Sequence, residues 1–280
     1  MTTPAEVAGA DARPDALSST EGDAGWLVVA EQECRDLWKG GRGPALLFCL
    51  SVLLSAITYL AATNRAMNFL EQREAVNLVL QFAVGVGVLV TLVVTADGIS
   101  GERERETLES LLVTPVSRRA IVGGKLIAGL SLWGAAYVLT VPYIWLLARS
   151  VGILTQALAL GLVVGTLVAA GLGAIGLLIS AMTNSNKASL AISVFLLVVL
   201  FAPTQLPSGL PSTWFFDVIE RLNPVTSALA YITGQLVQGD SWSEDLSYLV
   251  SPIITVLLAG GVLFIASPRL VRLTAGVNGE

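Results

Sequence analysis

The sequence predicts an all-α membrane protein built on six transmembrane helices. Three observations carry that prediction. Apolar residues make up 54 % of the 280-residue chain and charged residues only 13 %, about half the ~25 % of a soluble globular domain. Mean hydropathy is +0.74. Six separate stretches stay apolar over the roughly 20 residues that a helix needs to cross a bilayer. The pattern adds three smaller elements: an N-terminal interfacial helix, a short cytoplasmic helix and a short external helical pair between spans 5 and 6.

The elements follow in order. Residues 1–24 are rich in Ala, Asp, Ser and Thr and read as a disordered acidic tail. They lack the basic and apolar regions of a signal peptide, so the first span is expected to stay uncleaved. Residues 25–39 carry Trp26, Val29, Ala30, Cys34, Leu37 and Trp38 at helical spacing. Tryptophan near each end, with Arg35 and Lys39, suits a helix lying in the membrane interface against lipid headgroups. The spans are expected at 44–62, 76–97, 120–147, 153–181, 188–206 and 248–267. The third and fourth are long enough to require tilt, and Pro142 is expected to kink the third. In the fourth, Gly161, Gly165, Ala169 and Gly173 recur every fourth residue, a face on which helices approach closely. Ala83, Gly87, Thr91 and Thr95 repeat that spacing in the second. Packing, within the subunit or across a dimer, is the role expected of both.

The region 207–247 is not a plain loop. Trp214, Phe215, Val218, Ile219 and Leu222 form one helical stripe. Asn223-Pro224 then supplies an N-cap and a first helical residue. Val225, Ala228, Leu229, Ile232 and Leu236 form a second stripe, too short to cross the membrane. Residues 25–272 thus make one transmembrane domain, followed by a short tail at 273–280.

Lys and Arg set the orientation. With a cytoplasmic N-terminus, the inner set is Arg13, Arg35, Lys39, Arg42, Arg103, Arg105, Arg118, Arg119, Lys125, Lys187, Arg269 and Arg272. The outer set is Arg65, Arg73, Arg149 and Arg221, so 12 of the 16 basic residues fall inside. Both termini are expected in the cytoplasm.

Several chemistries are excluded. The chain has no histidine, which removes His-based triads, HExxH zinc sites and histidine proton relays. Its two cysteines, Cys34 and Cys49, do not form a disulfide or metal pattern. No catalytic or metal-binding residue is assigned. The net charge of −5 argues against nucleic acid.

The segment between spans 2 and 3 is the informative one. Ser100 or Gly101 can cap a helix there, with Glu102 and Glu104 near its positive end. Arg103 with Glu106, and Arg105 with Glu109, have the spacing of helical ion pairs. Leu108, Leu111 and Leu112 share one face, and Thr114-Pro115 ends the element. A short helix with a charged end and an apolar face suits docking into a partner's groove. A solvated connector anchored by its leucines is the other reading.

This string resembles the Glu-Arg-Glu-x-Gly-Thr-Leu-Glu-x-Leu-Leu-x-Thr-Pro signature of ABC-2 type transporter permeases. Glu102-Arg103-Glu104, Thr107-Leu108-Glu109, Leu111-Leu112 and Thr114-Pro115 match it in register. Gly124-Lys125-Leu126 and Leu222-Asn223-Pro224 resemble later family features. Glu106 departs from the pattern, which commonly has glycine at its place. The resemblance spans about 25 to 272. It implies the permease half of an ATP-driven exporter in the cytoplasmic (inner) membrane. Two copies of a separate ABC ATP-binding subunit would hold ATP and Mg, and this chain no cofactor. It also implies a second permease subunit, as homodimer or heterodimer. The 102–113 helix (with Arg105 in its charged end) and the interfacial helix would contact the ATPase. Gly124-Lys125 is no nucleotide loop, since Arg119 stands at the first glycine and Leu126 at the Ser or Thr.

Two rivals are weaker. A secondary transporter normally keeps an acid or base inside the membrane, and the cores of these six spans carry none. This also favours an amphipathic or apolar substrate. A membrane scaffold without an ATPase partner is the other alternative.

Overall fold

The computed structural model describes residues 18–63, 69–105, 117–205 and 214–270. Among these the order is α1 Ser18–Lys39, α2 Arg42–Thr63, α3 Phe69–Asp97, α4 Ser100–Glu104, α5 Arg118–Ala148, α6 Leu154–Met182 and α7 Asn186–Phe201. After a 3-10 turn at Ala202–Gln205 come α8 Trp214–Leu222, α9 Pro224–Thr233, a π-turn at Gly234–Gln238 and α10 Ser247–Leu270. No strand occurs among the described residues.

Six helices, α2, α3, α5, α6, α7 and α10, are long and apolar enough to cross a membrane. They fall on the six expected stretches. The main shift is at α3, which starts at Phe69 rather than near 76. Glu71, Gln72, Arg73 and Glu74 are good helix formers but too polar for an apolar window, so hydropathy marks membrane depth rather than the helix end. Likewise α1 starts at Ser18, ahead of the expected 25. Ser18, Ser19, Thr20, Glu21 and Asp23 are residues that favour a helix N-terminus. α5 continues unbroken through Pro142.

α3, α5 and α6 pack on one another at the centre, α10 lies against α6, α7 against α3, and α1 and α2 against α5. Of the apolar stretches of α3 and α6, 56 % is buried, against 17 % in α2, α7 and α10. Lipid is as apolar as leucine, so burial alone drives little association here. Close approach and polar contacts must hold the helices. The glycine stripe provides the first. A Cβ on Gly161 would lie 2.8 Å from Leu80, and one on Gly165 2.5 Å from the Trp133 ring. One on Gly173 would lie 3.4 Å from both Leu126 and Thr91. Ala169 is fully buried. On α3, a Cβ on Gly87 would meet Trp133 at 2.7 Å. Both stripes therefore face the centre of this subunit, with Trp133 wedged between Gly87 and Gly165. Its indole Nε1 donates to Thr166 Oγ1 at 2.9 Å, satisfying the polar handle of a buried tryptophan. The more peripheral α2 is fastened by buried Leu50 and Leu54 and by Tyr143, whose hydroxyl lies 3.0 Å from both Ser51 Oγ and Ser55 Oγ.

One end of the bundle gathers the starts of α2, α5 and α7 and the ends of α3, α6 and α10. This is the charged end. The opposite end is filled by α9. Asn223 caps α9, accepting from the N–H groups of Val225 and Thr226 at 2.9 and 3.3 Å, with Pro224 as the first helical residue. Val225, Ala228, Leu229, Ile232 and Leu236 are all buried. The two deep glutamines hold this element in place. Gln81 Nε2 donates to Thr233 Oγ1 at 2.8 Å, and Gln156 Nε2 to the Gln235 carbonyl at 3.0 Å. α8 differs, since Val218 and Leu222 are exposed. The second stripe turns inward, whereas Val218 and Leu222 of the first do not.

Candidate functional site at the charged end

The match to the Glu-Arg-Glu string begins in α4, and the first four of its charged residues are placed in detail. α4 is only five residues long, with Arg105 at its C-cap. Of the expected helix over 102–113, residues 102–105 lie among the described residues. Residues 106–116, which include Thr107, Leu108, Glu109, Leu111, Leu112, Thr114 and Pro115, lie outside the described residues.

The start of α4 also differs from expectation. Neither Ser100 nor Gly101 caps it. Ile99 stands at the N-cap without a side-chain bond of its own. The N–H groups of Ile99 and Ser100 donate instead to Ser180 Oγ of α6, at 3.0 and 2.8 Å. A helix leaves its first N–H groups unpaired, and here a hydroxyl 80 residues further along the chain accepts them. A Cβ on Gly101 would lie 2.2 Å from Asp97 Oδ1, so a side chain there would push that carboxylate aside.

Each of the next four residues then binds a different part of the bundle. Glu102 accepts from Lys125 Nζ of α5. Arg103 donates to the carbonyls of Thr183 and Ala181, at the turn from α6 to α7. Glu104 Oε2 accepts from the Asn186 N–H at 3.0 Å, at the first residue of α7. Arg105 meets Asp97 of α3 at 3.3 Å. Asp97 is shared, since Arg42 of α2 reaches it at 2.7 Å and Asn186 Nδ2 at 2.6 Å. Arg103 and Arg105 are thus bonded to other helices. Their expected partners Glu106 and Glu109 lie outside the described residues.

Lys125 is the residue whose setting sequence reasoning missed. Its side chain is 2 % exposed. Besides Glu102 it holds Glu33 of α1, Nζ to Oε1 at 2.5 Å. The available signal was a single cation within the apolar run of α5, for which a buried partner is the rule. Beside it, Gly124 lets α1 seat on α5: a Cβ there would lie 2.7 Å from Val29 and 3.0 Å from the Ala30 nitrogen.

Val29 and Ala30 of α1 are buried. Trp26 and Trp38 are partly exposed, and Trp38 Nε1 approaches Ser131 Oγ at a long 3.4 Å. Arg35 pairs with Glu31 one turn back, at 2.5 Å, and Lys39 is exposed in the last turn. The helix therefore turns one face to α5 and leaves Trp26, Leu27 and Val28 uncovered.

The chain matches no curated protein closely enough to mark a relative. A family model described as "ABC-2 family transporter protein" matches residues 27–267. That stretch runs from α1 into α10 and takes in all six long apolar helices, α4 with its anchored charges and the capped α9. This multi-pass membrane protein belongs to the ABC-2 family of transporter proteins.

Proposed function

We propose that this chain is the membrane-spanning permease subunit of an ATP-driven ABC-2 type exporter in the cytoplasmic membrane, powered by a separate ATP-binding subunit. The carrying observation is the family match over 27–267 together with the Thr107-Leu108-Glu109, Leu111-Leu112, Thr114-Pro115 string that directly follows a turn fixed to the bundle. Four ties, made by Glu102, Arg103, Glu104 and Arg105, connect that turn to α3, α5 and the α6–α7 region. A force applied beyond Arg105 has a stiff route into those helices.

On this reading the roles within the expected docking set divide. Glu102 to Arg105 anchor the turn, and the leucines beyond it dock. Leu108, Leu111 and Leu112 share a face if the segment is helical, the kind that enters a groove on a partner. α1, packed on α5 beside Lys125, forms the second contact. Two ATP-binding subunits carry ATP and Mg, and two permease subunits assemble as a homodimer or heterodimer. The charged end faces the cytoplasm, as do both termini. The substrate is apolar or amphipathic, because the span cores carry no acid or base and the two glutamines at depth, Gln81 and Gln156, are engaged at the α9 end.

Co-purification with the ATP-binding subunit encoded beside this chain tests the reading. The wild type is expected to bring that subunit down. Leu108→Ala combined with Leu111→Ala is expected to reduce recovery at least about tenfold, as for loss of buried apolar anchors at an interface, with unchanged gel-filtration behaviour. Full recovery with the double variant would remove the docking role, and no recovery with the wild type would remove the partner.

A further inference from the structure

We infer that Lys125 is a positioning residue whose ammonium, held by Glu33 of α1 and Glu102 of α4, locks α1, α4 and the start of α5 into one unit. The inference deepens the proposed function, since α1 and the segment after α4 are the two contacts assigned to the partner. The lock itself is a property of this chain alone.

Three observations point the same way. Lys125 is buried almost completely, at 2 % side-chain exposure, while Glu33 and Glu102 are 25 % and 21 % exposed. The cation is thus the inner member, and the carboxylates approach it from two other helices. The helices are also separate in sequence, 92 residues from Glu33 to Lys125 and 23 from Glu102. Local chain geometry does not bring these groups together. Finally, the surface beside Lys125 is cut to receive α1, because Gly124 leaves no Cβ where Val29 and Ala30 sit.

The physics favours a lock over an ordinary ion pair. A buried ammonium without partners is costly, and removing one member of a buried pair leaves the other uncompensated. Three donor hydrogens on one nitrogen can serve two carboxylates at once. Separating α1 from α5, or α4 from α5, therefore breaks a bond to the same buried charge. Displacement of either helix is penalised at one point, and the two move with α5 together. Arg105 and Asp97 then carry that unit to α2 and α3.

Hydrogen–deuterium exchange on the full chain in lipid nanodiscs, without any partner, tests this. In the Glu33→Gln variant, changed on α1, exchange is expected to rise by about tenfold or more across 98–105. In Glu102→Gln, changed on α4, the same rise is expected across 26–39. Protection of α9, 224–233, is expected to stay as in the wild type in both. Lys125→Met is expected to loosen both segments together, and Lys125→Arg, which keeps a cation with donors enough for two carboxylates, to restore protection. Should Lys125→Met not fold, the two glutamine variants still decide the matter. If each variant loosens only its own helix, or neither segment changes, the lock does not exist. Failure of that kind leaves co-purification with the ATP-binding subunit untouched, so the lock and the proposed function fail separately.

Discussion

Single residues in this protein act mainly by what they leave room for. Gly165 is the clearest case. Trp133 fills the space its missing Cβ leaves, and Gly87 on the other side of the indole holds the ring there. Gly165→Ala would place a methyl group 2.5 Å from two ring atoms. The ring has nowhere to go, so the variant is expected to lose about 1–3 kcal/mol, the usual cost of overpacking, read as a lower thermal unfolding midpoint in detergent. Trp133→Phe removes the outer ring atoms that cause the clash. Combining the two should cost less than the sum of the single changes, a coupling that additive sites do not show. Gly134→Ala is the control, because nothing lies within 4 Å of a Cβ there, and it should be neutral. The stripe of small residues was legible from spacing alone. What it packs against was not, because a tryptophan between two glycines is a three-helix fact.

Among the elements, those defined by local rules were readable and those defined by distant partners were not. α9 belongs to the first kind. Asn-Pro before an apolar stripe announces a capped helix, and the cap forms with Asn223 Oδ1 accepting from two N–H groups. Its amide also donates to the Leu200 carbonyl at 2.7 Å, tying the start of α9 to the end of α7. Asn223→Ala removes both. Loss of an N-cap costs about 0.5–2 kcal/mol, and loss of the bond to the Leu200 carbonyl adds to it. The variant is expected to show faster amide exchange over 224–233 and a lower unfolding midpoint. Asn223→Ser keeps a cap acceptor and loses the amide donor without adding a charge, so its loss should be smaller. An equal loss in the two variants would mean that the cap contributes nothing. α4 belongs to the second kind. Its cap comes from Ser180 on α6, and its charges bind α3, α5 and the α6–α7 turn. Helical spacing predicted pairs within one helix, because periodicity sees only neighbours. The bonds that Arg103 and Glu104 make to Thr183 and Asn186 lie 80 or more residues away.

For the whole molecule, composition sufficed to place six crossing helices, since the cost of unpaired backbone in lipid leaves few alternatives. Orientation rests on a different quantity, the distribution of Lys and Arg, and the fold sharpens what that distribution means. Arg42, Arg103, Arg105 and Lys125, four of the inner set, are engaged at one end of the bundle with Asp97, Glu33, Glu102 and the carbonyls of the α6–α7 turn. These cations bind the protein as well as marking a side of the membrane. Yet these four come together at the same end, as a consistent topology requires. At the other end, Arg149 and Arg221 lie over Trp145 and Tyr248 at 4.8 and 5.6 Å, the pairing of cation and aromatic ring that suits an interface. The expected arrangement therefore has the α6–α7 turn in the cytoplasm and residues 239–247 outside. Two exposed positions test it in a chain with Cys34 and Cys49 replaced by serine. Ser243 lies in the segment before α10, and Ser185, which makes no cap bond to α7, lies in the turn. A membrane-impermeant maleimide should label Ser243→Cys in intact cells and Ser185→Cys only after permeabilisation. The reverse pattern would invert the protein in the membrane. It would put the Glu-Arg-Glu segment on the side without ATP, and the proposed coupling to a cytoplasmic ATP-binding subunit would fall with it.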